Sequence, residues 1–268
     1  MVDTAAVENL VLSLQAAGRS PLTVENYQRY ARRLMAQTRG QQPTRHDIQR
    51  FMAAQAERQR PQSLRVVYYI VKQLHEVNDW QWPLRRGELP GAGQSNPPVL
   101  SISEVGRLVA ATRTIGTPDQ RAYLAVSTTY GLRRAEITSI RPGDINEKIF
   151  IRTVKRGVQR EHSIPPEVRG WIEGFEWTRL KTSQMSQRLA DIYKLAGLYH
   201  RHGVGWHAIR RALATELIAN GANEINVARF LRWKVSHGFG VLPNYVRTPD
   251  EAIDEAIFSR HPFVRFWK

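Results

Sequence analysis

The chain has 268 residues, enough for two domains, and 42% of them are hydrophobic, which is sufficient to form buried cores. Thirty-nine Lys and Arg residues against 24 Asp and Glu give a formal net charge of +15 at pH 7. Such a basic chain attracts polyanions, of which nucleic acid is the commonest large one, although an arginine-rich genome composition is an alternative source of the excess. The absence of cysteine excludes disulfides, cysteine-ligated zinc and thiol nucleophiles.

Membrane and secretion signals are absent from the sequence pattern. No apolar run approaches the length of a membrane span, and the N-terminus lacks the basic start and apolar core of a signal peptide. We therefore expect a soluble, intracellular protein.

Residues 1–82 carry apolar side chains at helical spacing, separated by glycine and proline. The predicted helices are 5–17, 23–38 with Thr23 as its N-cap, about 44–58 with Thr44 as its N-cap, and one that starts near Pro61. Arginines on their outer faces, such as Arg29 and Arg33, indicate a compact DNA-facing module. Solvated helix faces are the alternative interpretation of each arginine taken singly.

Residues 83–98 are rich in glycine and proline and contain few large apolar residues, so they are predicted to link two domains, 1–82 and 99–268. The part before Val99 has a net charge of +5 and the remainder +10. Both parts are therefore suited to contact the same polyanion.

The second predicted domain is mainly helical with one small antiparallel sheet. Its predicted elements are helices at about 101–112, 121–129 and 132–141, a β-hairpin of strands 148–155 and 160–165 around a turn at 156–159, helices from residue 184 onward, and an acidic amphipathic helix at 249–258. The fold class is thus mainly α, with an α+β second domain.

Two arginines share helical rows with apolar residues. Arg133 is predicted to lie in one row with Ile137 and Ile140, and Arg210 in one row with Leu213 and Leu217. A buried arginine is uncommon unless it is paired or meets an anion. His207 precedes Arg210 by one helical turn, so both side chains can reach one ligand. The alternative is a structural ion pair for each arginine, for example Arg133 with Glu136.

The sequence resembles the tyrosine recombinases in several motifs that occur in the family's order. Residues 130–137, YGLRRAEI, resemble the first family box, and residues 207–215, HAIRRALAT, resemble the second. Lys155, with Ile164-Pro165 after it, matches the family's hairpin. Residues 231–233, LRW, and then Tyr245 match its C-terminal motifs, while residues 20–27, SPLTVENY, match the opening of its helical domain. The resemblance covers roughly the whole chain and implies a helical SAM-like DNA-binding domain followed by a catalytic domain.

The resemblance implies cleavage and rejoining of duplex DNA through a 3′-phosphotyrosine. Tyr245 is the expected nucleophile, Arg133 and Arg210 clamp the non-bridging phosphate oxygens, and Lys155 protonates the leaving oxygen. His207 binds the phosphate or takes the tyrosine proton, and Trp233 holds the site by packing and an indole N–H contact. Glu136 is expected to be a structural partner of an arginine.

Three departures from the family pattern concern the expected site. Arg211 replaces a second histidine, Arg232 replaces a glycine, and the interval from Trp233 to Tyr245 is a few residues longer than usual. Arg156 is an alternative to Lys155 because both flank the turn. No tyrosine other than Tyr245 follows the second box, and Tyr193 and Tyr199, which precede it, are expected to be packing residues.

The expected function is site-specific recombination of double-stranded DNA by a synaptic homotetramer, without metal or nucleotide cofactor and without a membrane. Type IB topoisomerase-like relaxation and a DNA-binding relative that has lost cleavage are the alternatives. A cytoplasmic, nucleoid-associated protein of prokaryotic or viral origin is expected. The helix at 249–258 docks either on a neighbouring protomer or on its own domain.

Overall fold

The computed structural model describes residues 5–91, 97–153, 158–177, 180–233 and 248–268, except for the side chains of Arg86 and Thr182. The chain divides into two compact units, residues 1–96 and 97–268. In the described ranges, no helix is both long and apolar enough to cross a membrane. No three acidic or histidine side chains among those residues are grouped so that they could hold a metal ion.

The N-terminal unit consists of four helices around one apolar core. They are α1 (Ala5–Ala16), α2 (Pro21–Gln37), α3 (Arg45–Ala56) and α4 (Pro61–Val77). Thr44 caps α3 as predicted, because its hydroxyl accepts from the Asp47 amide at 3.2 Å and the Asp47 carboxylate accepts from the Thr44 amide. The prediction that Thr23 caps α2 is wrong: the helix begins at Pro21, and Ser20 Oγ accepts from the Thr23 amide at 3.3 Å.

The residues after α4 pack on this unit. Trp82, Leu84 and Leu89 contact its apolar core, and a short 3₁₀ turn, Arg86–Glu88, follows Leu84. The Glu88 carboxylate accepts from Gln49 Nε2 at 2.8 Å and from Arg45 Nη2 at 3.0 Å, which fixes this segment to α3.

The second unit is mainly helical. Its elements are α5 (Ile102–Ile115), α6 (Pro118–Tyr130), α7 (Arg134–Ile137), a 3₁₀ turn (Pro142–Asp144), β1 (Lys148–Ile151), β2 (Arg160–Ser163), α8 (Pro166–Ile172), α9 (Thr182–Leu195), α10 (Trp206–Ala219), α11 (Glu224–Phe230), α12 (Asp250–Phe258) and a last 3₁₀ turn (Val264–Trp267). Helix α6 is central, since every residue from Ala122 to Tyr130 is buried and α5, α8 and α10 pack around it. The predicted fold class, mainly helical with a small antiparallel sheet, is confirmed.

The two strands pair antiparallel, with Lys148 opposite Ser163 and Ile151 opposite Arg160. They are shorter than the predicted strands, because neither residues 152–153 nor 164–165 continue the pairing. Lys155 and Arg156 lie outside the described residues.

The C-terminal helix and the tail after it pack on their own unit. Ile253 and Ile257 of α12 are buried in the core beside α11 and β2. Further along, the Trp267 indole donates to Thr128 Oγ1 at 3.0 Å, and the Trp267 carbonyl accepts from the Trp171 indole at 3.1 Å. Residues 250–258 therefore pack on the unit that contains them, and docking of this helix on a neighbouring protomer stays a prediction.

Candidate active site

Gly131 ends α6 and sets the direction in which Arg133 leaves it. Its φ of +58° lies in the left-handed region that glycine adopts most readily. A Cβ there would lie only 2.7 Å from Leu231 Cδ2 and 3.3 Å from Arg210 Cγ, so only glycine fits without displacing neighbours. The chain reverses here and brings the next polar side chains toward α10.

Arg133 reaches this site for a different reason from the one predicted. It precedes α7 in an extended conformation, and α7 is only four residues long, so the helical row with Ile137 and Ile140 is wrong. The Arg133 side chain is 27% exposed and its Nη1 donates to Glu136 Oε1 at 2.6 Å. Its backbone amide donates to Glu136 Oε2 at 2.8 Å. The ion pair considered for Arg133 is therefore present, and the guanidinium still reaches the surface.

The buried carboxylate of Glu136 is shared by three guanidinium groups. Besides Arg133, it is approached by Arg232 Nη2 at 3.3 Å and by Arg210 Nη1 at 3.6 Å, both on Oε2. Burial by itself raises the pKa of Glu136, but the charges of Arg232 and Arg210 and the hydrogen bonds from Arg133 lower it overall. One negative charge thus faces three positive ones, and the excess makes the cluster attractive to an anion.

Arg210 is buried, as its helical spacing predicts, with an exposure of 1%. Its Nη1 donates to the Gly131 carbonyl at 2.7 Å and its Nη2 donates to the Leu231 carbonyl. Its buried Nε has no hydrogen-bond partner among the described residues. Burial, together with the charges of Arg232 and Arg133, lowers the pKa of Arg210 to about 9. The group is still cationic at neutral pH, and its Nε–H is available to an acceptor.

His207 and Trp233 border the same guanidinium. His207 lies one turn before Arg210 on α10 and reaches the surface, beside an open cavity of about 600 Å³ that Arg134, His202 and Trp206 also line. Partial burial and the charges of Arg210, Arg211 and Arg133 lower the pKa of His207, so its imidazole is neutral at pH 7. The Trp233 ring is 40% exposed, and its centroid lies 5.7 Å from Cζ of Arg210. The structure thus brings four of the six predicted site residues together.

Comparison with known proteins identifies the fold. No family model and no curated protein matches the chain. A lambda integrase dimer bound to a COC′ core site is similar with a TM-score of 0.66 at 13% identity, over 88% of this chain and 97% of that one. The XerH site-specific recombinase bound to palindromic difH substrate, a post-cleavage complex, is similar with a TM-score of 0.64 at 14% identity, over 81% of this chain and 74% of that one. The integrase from mycobacterium phage Brujita is similar with a TM-score of 0.50 at 17% identity, over 97% of this chain and 95% of that one. The chain has the tyrosine recombinase fold.

Within this tyrosine recombinase fold, the two residues expected to complete the site, Lys155 and Tyr245, lie outside the described residues. Of the other two tyrosines considered, Tyr193 is buried as expected of a packing residue. Tyr199 is 85% exposed, so its expected packing role is wrong. Arg211, which replaces the second histidine of the motif, donates through Nη2 to the Pro98 carbonyl at 2.7 Å and through Nε at 3.1 Å, and so fixes the start of this unit.

Arg232 is the site residue that sequence reasoning missed. It is fully buried at a φ of +58°, and its Nη1 and Nη2 reach His162, Glu136 and two backbone carbonyls. The replacement of the family's glycine at this position was visible in the sequence. Its burial was not, because arginine is rarely buried and rarely adopts positive φ.

Proposed function

We propose that the protein is a site-specific DNA recombinase that cuts and rejoins duplex DNA through a 3′-phosphotyrosine on Tyr245. The observation that carries this proposal is the arrangement of Arg133 and Arg210 on one buried carboxylate beside His207. An excess of positive charge that is held in place before the anion arrives is what a phosphoryl-transfer site requires.

In the proposed reaction Tyr245 Oη attacks phosphorus, and the bond from phosphorus to the 5′ oxygen breaks. His207, neutral at pH 7, accepts the tyrosine proton, and Lys155 donates a proton to the leaving 5′ oxygen. Arg133 and Arg210 bind the non-bridging oxygens, and Trp233 packs over Arg210. The reverse attack by a 5′ hydroxyl restores a phosphodiester and frees the tyrosine, so no external energy source is needed.

The remaining parts of the proposal concern assembly on DNA. The N-terminal helical unit is assigned to DNA binding, and residues 83–98, whose first part packs on that unit, connect it to the catalytic unit. Support comes from similar structures: one is described as a lambda integrase tetramer bound to a Holliday junction, and another as XerH bound to difH substrate before cleavage. We propose a homotetramer on double-stranded DNA as the active form, in a prokaryotic or viral setting.

The test is adduct formation on a nicked duplex. Duplexes that the protein binds are selected from a random-sequence pool, nicked near the candidate scissile position, incubated in a metal chelator and resolved on a denaturing gel. Wild type and Tyr199→Phe, a matched change of an exposed tyrosine, are expected to form a covalent adduct, and Tyr245→Phe is not. An adduct that persists in Tyr245→Phe would contradict the assignment of the nucleophile.

A DNA-binding relative without cleavage is the second candidate, and one observation favours it. Both terminal nitrogens of Arg210 already donate to backbone carbonyls, and the Trp233 ring lies over the group. Among the described residues, Nε is the nitrogen of Arg210 that has no hydrogen-bond partner, and fewer of its N–H groups remain for a phosphate. The same gel separates the two candidates, because this relative binds its selected duplexes and forms no adduct.

A further inference from the structure

Arg232 occupies a position that disfavours it on two counts. Its φ of +58° is one that side-chain-bearing residues rarely adopt, and its guanidinium is fully buried. The side chain is nevertheless well held: Nη1 donates to the Phe230 carbonyl at 3.0 Å and Nη2 donates to the Tyr130 carbonyl at 3.1 Å. Strain of this kind persists only where the surroundings fix it, and it concentrates at functional sites.

His162 of β2 holds the other side of Arg232. Arg232 Nη1 lies 3.0 Å from His162 Nε2, and because a guanidinium only donates, Nε2 is the acceptor and the imidazole proton is on Nδ1. His162 Nδ1 then donates to Asp254 Oδ1 at 3.0 Å. The Asp254 carboxylate also accepts from the Ser163 amide at 2.7 Å and from Arg160 Nη2 at 3.3 Å. A continuous buried row of hydrogen bonds therefore runs from α12 to Glu136.

Arg232 and Arg210 compete for the same oxygen of Glu136. Arg232 Nη2 lies 3.3 Å from Oε2, and Arg210 Nη1 lies 3.6 Å from it, beyond ordinary hydrogen-bond length. Without the Arg232 charge, Oε2 keeps the hydrogen bond from the Arg133 amide, and Arg210 Nη1, which lies 3.6 Å away, is free to approach it. Arg210 would then close onto the carboxylate and lose the position in which its Nε is free.

We propose that Arg232 is a positioning residue for the reaction, one that occupies Oε2 of Glu136 and so keeps Arg210 available to the phosphate. His162 orients Arg232, and Asp254 orients His162. Arg232 itself touches no substrate, since it is enclosed by protein. The inference rests on the proposed function, because it concerns the same phosphate-binding arginines.

The substitution Arg232→Gly tests the role of the side chain without disturbing the backbone. Glycine adopts the positive φ of this position without strain, and the lost side chain leaves a cavity with the shape of the guanidinium. We expect DNA affinity close to that of wild type and adduct formation at saturating DNA slowed about 100-fold, the effect of a small misplacement of a binding group. Guanidinium at millimolar concentration should restore part of the rate to this variant, and urea, its neutral analogue, should not.

Two substitutions at His162 test whether the hydrogen bond from Arg232 to His162 orients Arg232. His162→Gln keeps an acceptor near the position of Nε2, whereas His162→Asn keeps a donor near the position of Nδ1. If His162 acts through Arg232, Gln preserves more of the adduct rate than Asn does. The reverse order would overturn the role assigned to His162.

A crystal structure of the free variant keeps this proposal separate from the proposed function. If Arg210 closes onto Glu136 in Arg232→Gly, the distance from Arg210 Nη1 to Glu136 Oε2 falls from 3.6 Å to hydrogen-bond length. If wild type forms an adduct and Arg232→Gly matches its rate, the positioning role fails and the recombinase assignment stands. If wild type forms no adduct, the recombinase assignment fails. An unchanged Arg210–Glu136 distance in Arg232→Gly would then reject the positioning role as well.

Discussion

At the scale of single residues, the site depends on Gly131, whose backbone leaves room for the Arg210 side chain. The Gly131 carbonyl accepts from Arg210, and the hydrogen at its Cα faces Leu231, whose own carbonyl accepts from the same guanidinium. The glycine therefore permits the left-handed turn and also leaves room for the side chains of Leu231 and Arg210.

Gly131→Ala should destabilise the second unit and slow cleavage. The positive φ costs an alanine about 1–2 kcal/mol, and the contact of its Cβ with Leu231 at 2.7 Å adds about 1–3 kcal/mol. Gly221→Ala is the matched control, because Gly221 has a φ of +78° and open space where its Cβ would be. Urea unfolding of both variants measures the difference. Equal losses of unfolding free energy would show that the contact with Leu231 is relieved without cost.

The sequence predicted the burial of Arg210 correctly because α10 is long and its apolar residues are regular. The same reasoning gave a wrong helical row for Arg133, since a glycine in the left-handed conformation and a four-residue helix interrupt the periodicity. Arg232 was recognised only as a departure from a motif. Its burial depends on His162 and Glu136, which are 70 and 96 residues away in sequence, and no local pattern contains such contacts.

At the scale of elements, the last 3₁₀ turn, Val264–Trp267, packs on α5 and on the central helix α6 and holds them together. Trp267 is buried against α6 through its hydrogen bond to Thr128, and Arg113 of α5 donates to the Phe266 carbonyl at 2.8 Å. Phe263 and Trp267 are both buried, so apolar side chains anchor this segment.

Trp267→Ala should lower the free energy of unfolding of the second unit by about 3–5 kcal/mol, the cost of removing a large buried aromatic side chain. The loss also leaves Thr128 Oγ1 without the indole donor. Lys268→Ala, a change at the exposed neighbouring residue, is expected to alter the unfolding free energy by no more than about 0.5 kcal/mol. Thermal unfolding of the two variants compares their stabilities, and similar unfolding midpoints would contradict the stabilising role of Trp267.

Capping residues made some element boundaries predictable. Thr44 begins α3 as expected, whereas Ser20, rather than the predicted Thr23, caps α2. The helix Pro166–Ile172 was not anticipated, because seven residues that begin with proline contain too little periodicity to detect. The paired strands stop at Ile151 and start again at Arg160, although β-favouring residues continue past Ile151.

At the scale of the whole molecule, the second unit encloses a histidine in its core that resists protonation. His261 Nε2 faces the Thr129 carbonyl at 2.9 Å, and Nδ1 accepts from the amides of Phe263 and Val264. Burial lowers the pKa of His261 to about 4, so the folded chain holds a neutral imidazole over a range in which the unfolded chain is protonated.

Acid should therefore weaken this unit, and His261 should account for a definable part of the loss. Folding lowers the pKa of His261, so the contribution of its neutral imidazole to the free energy of unfolding is complete above about pH 6.5 and disappears as the pH falls toward 4. Over this pH range the free energy of unfolding falls by about 3 kcal/mol because of His261. His261→Asn keeps an acceptor for the two amides and does not titrate. Its unfolding free energy, measured by urea from pH 7 to pH 4, should decline less steeply than that of wild type.

Asp254 also titrates in this pH range, and its effect on the free energy of unfolding has the opposite sign to that of His261. Burial raises its pKa to about 6, so folding favours its protonated form between pH 3.8 and 6. Because wild type and His261→Asn both contain Asp254, its contribution cancels in their difference. Parallel pH curves for the two proteins would reject the assignment to His261.

The buried row from Asp254 to Glu136 has a consequence for descent. An arginine at position 232 is tolerable only when His162 and Glu136 are already there to receive it, and His162 in turn needs Asp254 to accept its proton. Arginine at 232 should therefore covary with His162 and Asp254, and relatives with glycine at 232 should carry these two residues less often. A lineage that kept the arginine and lost the histidine would bury a further guanidinium N–H without an acceptor, in addition to Nε, and we expect such sequences to be rare.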